Sequence, residues 1–586
     1  MATFRVAIKL KLSFLLWMCF VSSSSLVAAE QSYPFIKQAS EYSSTSSSGS
    51  SAGGDGSTYD YIIVGGGTAG CPLAATLSQK YRVLLLERGG VPFNNVNVSY
   101  LRNFHIALAD TSSTSASQFF ISSDGVINTR ARVLGGGSCI NAGFYSRASQ
   151  RFILEAKWDE DLVEESYQWV EQQIVHRPAV APWQIALKNA LLEEGVKPFN
   201  GFTYNHIYGT KLGGTIFDHF ERRHSAAELL ASGDSRRLTV LVHAFVQNIL
   251  FETSGAKPMA VGVIFKDDRG VQHQVLLSKN PKSEVILSSG AIGTPHLLLL
   301  SGIGPLADLS KMNIPIVSEN EFVGKGLIDN PMNTIFIPTK NPVQQSLIQT
   351  VGITRHGVYI EASSGFGQSK DSIHYHHGLM SPEIGQLSTI PPKERSFKIM
   401  QSFVKKKKEL PRELFKGGFI LEKIANPLSK GDLRLVSTNI EDNPNVTFNY
   451  FSNPQDLKAC VYGIRMISRI AESKSYQSIS QLDNLSRERI LNMTVTANVN
   501  FIPKHINDTK SLQQFCKDTV ITIWHYHGGA NVGKVVNPDL KVLGVQRLRI
   551  VDGSVFKESP GTNPQATVMM MGRYMGMKIL RSRRGD

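Results

Sequence analysis

Apolar and polar positions recur along this chain with different periods, and each period predicts an element. From Tyr59 the run Tyr-Asp-Tyr-Ile-Ile-Val is apolar and β-branched, the pattern of a strand buried on both faces of a parallel sheet. It runs directly into Gly65-Gly-Gly67-Thr-Ala-Gly70 and then into an alanine- and leucine-rich helical pattern from Leu73 to Gln79. A second apolar run, Arg82 to Leu86, predicts the next strand and ends at Glu87. Further strands are predicted over Leu238–Val246 and Ala260–Phe265. Val285 to Pro305 reads as strand, turn and helix. Its Pro295 is expected at the helix start, where proline costs no hydrogen bond, with glycine ending the helix. Between Pro331 and Asn500 the periods loosen into mixed strands and loops.

The first residues follow another logic. Arg5, Lys9 and Lys11 precede an apolar stretch from Leu12 to Val21, then serines and Val27-Ala28-Ala29. A basic flank, a short apolar segment and small residues before a cleavage point predict a secretory signal peptide over residues 1–29. The apolar stretch is too short for a membrane span, and no later run reaches the needed length. Residues 30–57, nearly all Ser, Gly and Thr from Ser40 on, predict a linker with nothing to bury.

Length and composition narrow the class. A chain of 586 residues exceeds one compact core, so two domains are expected. With 42% apolar and 19% charged residues it is neither fibrous nor disordered as a whole. The net charge of +14 is diffuse, gathered only at Lys405 to Lys408 and at Arg581, Arg583 and Arg584, with no interleaved aromatics. That excludes a nucleic-acid platform. Solvated surface charge is the favoured reading; weak retention by an acidic extracellular polymer is the second.

Secretion gives weight to the Asn-x-Ser/Thr sites at Asn97, Asn445, Asn484, Asn492 and Asn507, which become candidate glycosylation sites. With Cys19 removed in the signal, four cysteines allow three pairings. Cys71 and Cys139 lie inside glycine-rich motifs, which leaves Cys460 and Cys516 as the disulfide expected in an oxidising compartment.

The glycine motif carries the first chemistry. A strand before it, a helix after it and Glu87 at the end of the next strand are the context that gives G-x-G-x-x-G a meaning. Gly65 permits the tight turn, Gly67 lets the backbone approach a pyrophosphate, and Gly70 lets helix and strand pack closely. The helix N-terminus would face the phosphates, and Glu87 would accept from the adenosine ribose. The motif says dinucleotide; it does not choose between NAD and FAD. A second cluster, Arg132 to Gly143, offers bare amides with Ser138 and Asn141 beside them. It suits either another close approach to a cofactor or a tightly packed loop. Near the end, Ile521-Thr-Ile-Trp-His525-Tyr-His527-Gly-Gly could hold a metal, one catalytic base beside a bystander, or two structural histidines. No third ligand of suitable spacing accompanies the pair, so no metal site is expected.

With these residues set out, the chain resembles the glucose–methanol–choline (GMC) oxidoreductases, FAD enzymes acting on alcohols. Within them it is similar to the plant HOTHEAD-like and mandelonitrile lyase-like group. The resemblance covers Tyr59 to Leu580 and rests on Gly290 to Gly304, Asn205-His-Ile-Tyr-Gly-Thr, Arg222-Arg-His-Ser-Ala-Ala, Trp524-His-Tyr-His-Gly-Gly, Val551-Asp-Gly-Ser and Gly561-Thr-Asn-Pro-Gln-Ala. It also implies the Cys460–Cys516 pairing.

The fold so implied is α/β: a Rossmann-like FAD-binding domain and an α+β substrate domain built on an antiparallel sheet. The FAD domain would take residues 58–150, 223–330 and 519–586; a substrate or cap segment would take 151–222, and the substrate-binding domain 331–518. The resemblance assigns non-covalent FAD to Gly65, Gly67, Thr68, Ala69, Gly70, Glu87 and Arg88. It adds Val133, Gly137, Ser138, Asn141 and Ala142 from the second glycine cluster, and Val246 at the adenine end. From the C-terminal segment it adds Trp524, His525, Asp552, Gly553, Asn563, Pro564 and Gln565. His525 would be the catalytic base and Asn563 its partner, on an alcohol. His527 would be a neighbour that either bonds to the site or is simply packed.

Three functions follow from the resemblance: an alcohol oxidoreductase, a hydroxynitrile lyase with idle FAD, and a catalytically quiet flavoprotein. Asn563 stands where the lyases carry histidine, and no cysteine lies between Cys139 and Cys460, where they carry one. Alcohol oxidation is therefore favoured, with a long-chain ω-hydroxy fatty acid as the suggested substrate and a monomer as the expected state. Ile140, not histidine, precedes Asn141, so a dissociable flavin is expected. Asn531 stands where the group has an apolar residue, and if it points inward it needs a partner.

Overall fold

The computed structural model describes residues 33–42, 58–110, 112–365, 389–406, 416–480, 499–561 and 563–583. The signal segment, most of the linker, Asn484 and Asn492 lie outside the described residues.

The apolar run after Asp60 becomes the strand Tyr61–Val64, buried throughout. It sits in a six-stranded sheet ordered Ile36–Gln38, Leu238–Val242, Val83–Leu86, Tyr61–Val64, Glu284–Leu287 and Leu548–Ile550. Every pairing in this sheet is parallel. The fold is thus mixed α/β, as expected. Two sequence-based boundaries are corrected. Thr58–Tyr59 is not continuous with the strand after it but pairs in a second sheet with Leu276 and Leu277. Asp60 separates the two, accepting from the Arg82 amide and the Ser278 hydroxyl. The predicted strand Leu238–Val246 likewise breaks at His243, whose φ is +57°. Its second half, Phe245–Glu252, joins that second sheet, pairing antiparallel with Met259–Lys266, which pairs antiparallel with Gln272–Leu277.

Several segments belong elsewhere than expected: Ile521–Thr522, set in 519–586, pairs with Pro331 and Met332, and Leu433, Val446 and Phe448, set in 331–518, lie in the core around the parallel sheet. The linker was set at 30–57, yet Ile36–Gln38 is the edge strand of the parallel sheet, and Phe35 and Ala39 are buried in its core. A short apolar patch next to an open strand edge pairs there, because an unpaired edge leaves backbone groups without partners. The segment 151–222 divides in two. The helices Gln150–Ala156 and Glu160–Ile174 put Phe152, Leu162, Tyr167 and Val170 into the core of the parallel-sheet domain. The helix Pro182–Glu193 instead packs Leu187 and Leu191 against the other domain.

That domain is built on a seven-stranded sheet ordered Ile521–Thr522, Pro331–Pro338, Gly417–Ile424, Val358–Ser364, Thr350–Ile353, Gly209–Leu212 and Phe199–Phe202. All pairings are antiparallel except the last. Between Pro331 and Asn500 the loosened periods predict mixed strands and loops, not strands this regular. Both faces are covered: helices Pro182–Glu193 and Pro454–Glu472 pack Leu191, Ile464 and Ile467 on Ile360, Ala362 and Ile420, and on the opposite face Met332, Phe419 and Leu421 cluster with Val133, Cys139 and Ile140. A strand buried on both sides loses the apolar–polar alternation that would reveal it.

The disulfide is present. Cys460 and Cys516 join helix Pro454–Glu472 to helix Thr509–Thr519, while Cys71 and Cys139 are free and buried. Among the described residues no helix is long and apolar enough to cross a membrane. Asn445 and Asn507 are exposed and Asn97 is half-buried.

Candidate active site

The glycine motif closes as its spacing predicts. Gly65 has φ +104°, and a Cβ there would lie 2.4 Å from the Ser288 carbonyl oxygen. A Cβ on Gly70 would lie 2.0 Å from the Gly65 carbonyl oxygen, so helix Gly70–Leu77 can follow its strand this closely only without a side chain. The bare backbone opens onto a cavity of about 250 Å³. Gly65, Gly67, Thr68 and Ala69 line it, together with Glu87, Arg88 and Val133 and, from farther along the chain, Val246, Asp552 and Gly553. Val246 arrives because the chain turns at His243.

Glu87 is more occupied than its expected role implied. Its Oε2 accepts from the Gly66 amide at 3.0 Å and its Oε1 from the Gly89 amide at 2.8 Å. Burial still pushes its pKa up, against those hydrogen bonds. Arg88 donates to Gln118 and to the Ala131 carbonyl oxygen. Gly70 and Ser138 line neither cavity. The Ser138 hydroxyl is spent inside the loop, donating to the Gly135 carbonyl oxygen and accepting from the Ala226 amide.

Asp552 ties its own turn to the helix Gly290–Leu300. Its Oδ2 accepts from the Gly290 amide and the Thr294 hydroxyl, and its Oδ1 from the Ser554 amide. This long-range cap starts the helix Gly290–Leu300 at Gly290, so Pro295 stands inside the helix and not at its start.

Thr68, Gly137, Trp524, Tyr526 and Val568 also border a second cavity, of about 180 Å³, so the two chambers adjoin. Asn141, Ala142, His525, Asn563, Pro564 and Gln565 line the second chamber. Gln565 opens the helix Gln565–Arg583, and its side chain accepts from Asn141 Nδ2 at 2.8 Å and donates to the Phe144 carbonyl oxygen. The positive end of this helix therefore faces the chamber. Phe104, Leu108, Leu347, Ile348, Leu421 and Ile523 make the rest of its wall largely apolar.

His525 is not on a strand. The strand ends at Thr522, and Trp524 takes φ +59°, a left-handed backbone that an aromatic residue seldom adopts. Asp329 holds this turn: its Oδ1 accepts from the His525 amide at 3.0 Å, its Oδ2 from Thr522 and Tyr450 hydroxyls at 2.6 and 2.5 Å. The His525 ring is buried, and its Nδ1 has no hydrogen-bond partner among the described residues. Burial first, then the Lys423 charge and His527, hold its pKa well below the usual imidazole value, so the ring is neutral. His527 lines neither chamber. Its Nδ1 donates to the His525 carbonyl oxygen at 2.8 Å, and burial lowers its pKa to about 4.

Sequence reasoning missed three residues here. Asp329 is one. The others are Glu361, which lines the second chamber, and Lys423, whose Nζ lies 3.1 Å from Glu361 Oε2 and donates to Asn563 Oδ1 at 2.8 Å. A Glu-Lys pair inside the apolar run Gly417–Ile424 was the available signal, since charges within a buried strand need partners. Asn531 has its partner: Nδ2 donates to the Phe556 carbonyl oxygen at 2.6 Å.

Comparison with known proteins bears on this geometry. The GMC oxidoreductase family matches residues 59–332 and 427–572. Protein HOTHEAD of Arabidopsis thaliana is 60% identical over 591 residues, covering 99% of each chain. This chain belongs to the GMC oxidoreductase family. The (R)-mandelonitrile lyase-like protein of Arabidopsis thaliana is 47% identical over 534 residues, covering 90% of each chain. Among solved structures formate oxidase superposes with a TM-score of 0.72 at 18% identity, covering 91% of this chain and 100% of its own, a likeness of fold alone. Membership of the GMC oxidoreductases supports FAD as the dinucleotide, and the residues present fit one: a glycine-lined cradle at a helix N-terminus, an acidic residue after the second strand, and an adjoining chamber.

Proposed function

We propose that this GMC oxidoreductase oxidises the CH–OH group of an alcohol, with His525 as base and Asn563 as the group that holds the reacting oxygen. The supporting observation is that a neutral buried histidine and an asparagine amide face one chamber, which adjoins the glycine-lined cavity. The first cavity would hold FAD through Gly65, Gly67, Thr68, Ala69 and Glu87, with Asn141, Ala142, Pro564 and Gln565 reaching its other end. When bound, FAD supplies the hydride acceptor. His525 takes the hydroxyl proton; being neutral at working pH, it can do so without first losing one. Asn563 stabilises alkoxide character as it develops, helped by the positive end of helix Gln565–Arg583. The apolar wall suits a long aliphatic substrate, such as an ω-hydroxy fatty acid. We also read the protein as secreted and monomeric, with glycans at exposed Asn445 and Asn507. Ile140 supports a flavin released on denaturation.

The second reading is hydroxynitrile cleavage, raised by the similarity to the mandelonitrile lyase-like protein. Asn563 and the absence of cysteine between Cys139 and Cys460 weigh against it. Mature flavoprotein mixed anaerobically with a panel of alcohols separates the readings. Bleaching of the yellow flavin by an alcohol is the expected result. Cyanide release from a cyanohydrin without bleaching would replace oxidation by cleavage, and neither outcome would leave a quiet flavoprotein.

A further inference from the structure

Strands Val358–Ser364 and Gly417–Ile424 pair antiparallel, Tyr359 opposite Lys423 and Glu361 opposite Leu421. Alternation then sends Tyr359, Glu361, Leu421 and Lys423 to the chamber side, and Ile360, Ala362 and Ile420 to the helices. Two opposite charges thus stand diagonally on the buried face of a sheet. Lys423 and Glu361 side chains are 1% and 0% exposed, 3.1 Å apart, with the Lys423 ammonium 4.2 Å from the centre of the Tyr359 ring. Burying such a pair costs desolvation that a pair of apolar side chains would avoid, so its presence at a reaction chamber points to use.

The contact that gives it use is the hydrogen bond from Lys423 Nζ to Asn563 Oδ1. An amide has two ends of nearly equal shape, and only its NH2 end can donate to a developing alkoxide. We propose that Lys423, anchored by Glu361, is a positioning residue for the reaction: it binds the carbonyl end of Asn563 and so turns the amide's donor end away from itself, toward the reacting oxygen. This rests on the assignment of Asn563 proposed above. Drawing electron density toward the ammonium also makes the amide a better donor.

The proposal separates ground state from transition state. A hydrogen bond that strengthens as charge develops acts on kcat more than on substrate binding. In the flavin-loaded protein, Lys423→Met should lower the limiting rate of anaerobic flavin reduction about 10- to 100-fold, part of the loss expected for one oxyanion donor. Affinity for a non-oxidisable tertiary alcohol, read from the perturbed flavin absorbance, should stay within about 3-fold. Because Lys423 acts through Asn563, the effect should fall below about 3-fold in an Asn563→Ala background. Glu361→Gln, milder and close to isosteric, should show a smaller loss in the same direction and the same collapse; it carries the test if Lys423→Met does not retain flavin. Losses that multiply undiminished in the Asn563→Ala background, or weakened analogue binding with the limiting rate unchanged, overturn the positioning role. If Asn563→Ala alone leaves the rate unchanged, it is the assignment of Asn563 that fails.

Discussion

Replacing Asp329 with asparagine tests whether the turn before His525 is held by a carboxylate that the fold strains to keep ionised. Burial raises the Asp329 pKa from 3.8 to about 6, against hydrogen bonds from Thr522, Tyr450 and the His525 amide. The folded protein therefore binds this proton more tightly than the unfolded chain. Stability from this group is full below pH about 4 and is lost as pH rises through about 6. A shift of two units corresponds to about 3 kcal/mol. Asparagine cannot ionise, yet it can accept from the His525 amide through Oδ1 and donate to the two hydroxyls, which can rotate to accept. The stability of Asp329→Asn relative to wild type should therefore rise by about 2.4 kcal/mol between pH 4 and pH 7, most of that total. Urea unfolding followed by tryptophan fluorescence at fixed pH values measures the difference directly. Since the amide contact to His525 survives, flavin reduction by a good substrate should fall less than about 10-fold. Parallel stability curves for the two proteins across this pH range would refute the reasoning.

Other outcomes are equally specific. His525→Ala should keep yellow FAD, because His525 borders only the second chamber, and should lose flavin reduction by about 10²- to 10⁴-fold, read by stopped-flow absorbance. Unchanged reduction would remove His525 from the chemistry. Gly70→Ala should yield protein with little bound flavin on spectroscopic titration, since the added methyl meets backbone 2.0 Å away and must open the cradle. Replacing Cys460 and Cys516 together by serine should cost about 4 kcal/mol of unfolding free energy, from a loop spanning 56 positions; denaturant midpoints with and without reductant check it.

Much of the nucleotide half was legible along the chain. Strand, glycine turn, helix and acidic residue are consecutive, and each constrains the next over a few residues, so Gly65, Gly67 and Glu87 could be placed before any fold was known. The substrate half was not. Glu361 and Lys423 face one chamber only because Val358–Ser364 pairs with Gly417–Ile424 in one register, and a slip of one residue would put them on opposite faces of the sheet. The helix start at Gly290 was misjudged for a related reason: its cap, Asp552, comes from far along the sequence.

The histidine pair shows the same division. Its residues announced a choice between a metal site, a base and packed side chains, and alternation along a strand would have put both rings on one side. The tertiary structure decides otherwise. The Asp329 carboxylate fixes a turn at Trp524, and the backbone leaves the strand after Thr522; only the His525 ring borders the chamber with Asn563. Sequence by itself determined the local chemistry of the dinucleotide cradle and of the candidate base. Which groups meet across the chamber, and in which protonation state, was decided by long-range pairing and by burial, neither of which has a period along the chain.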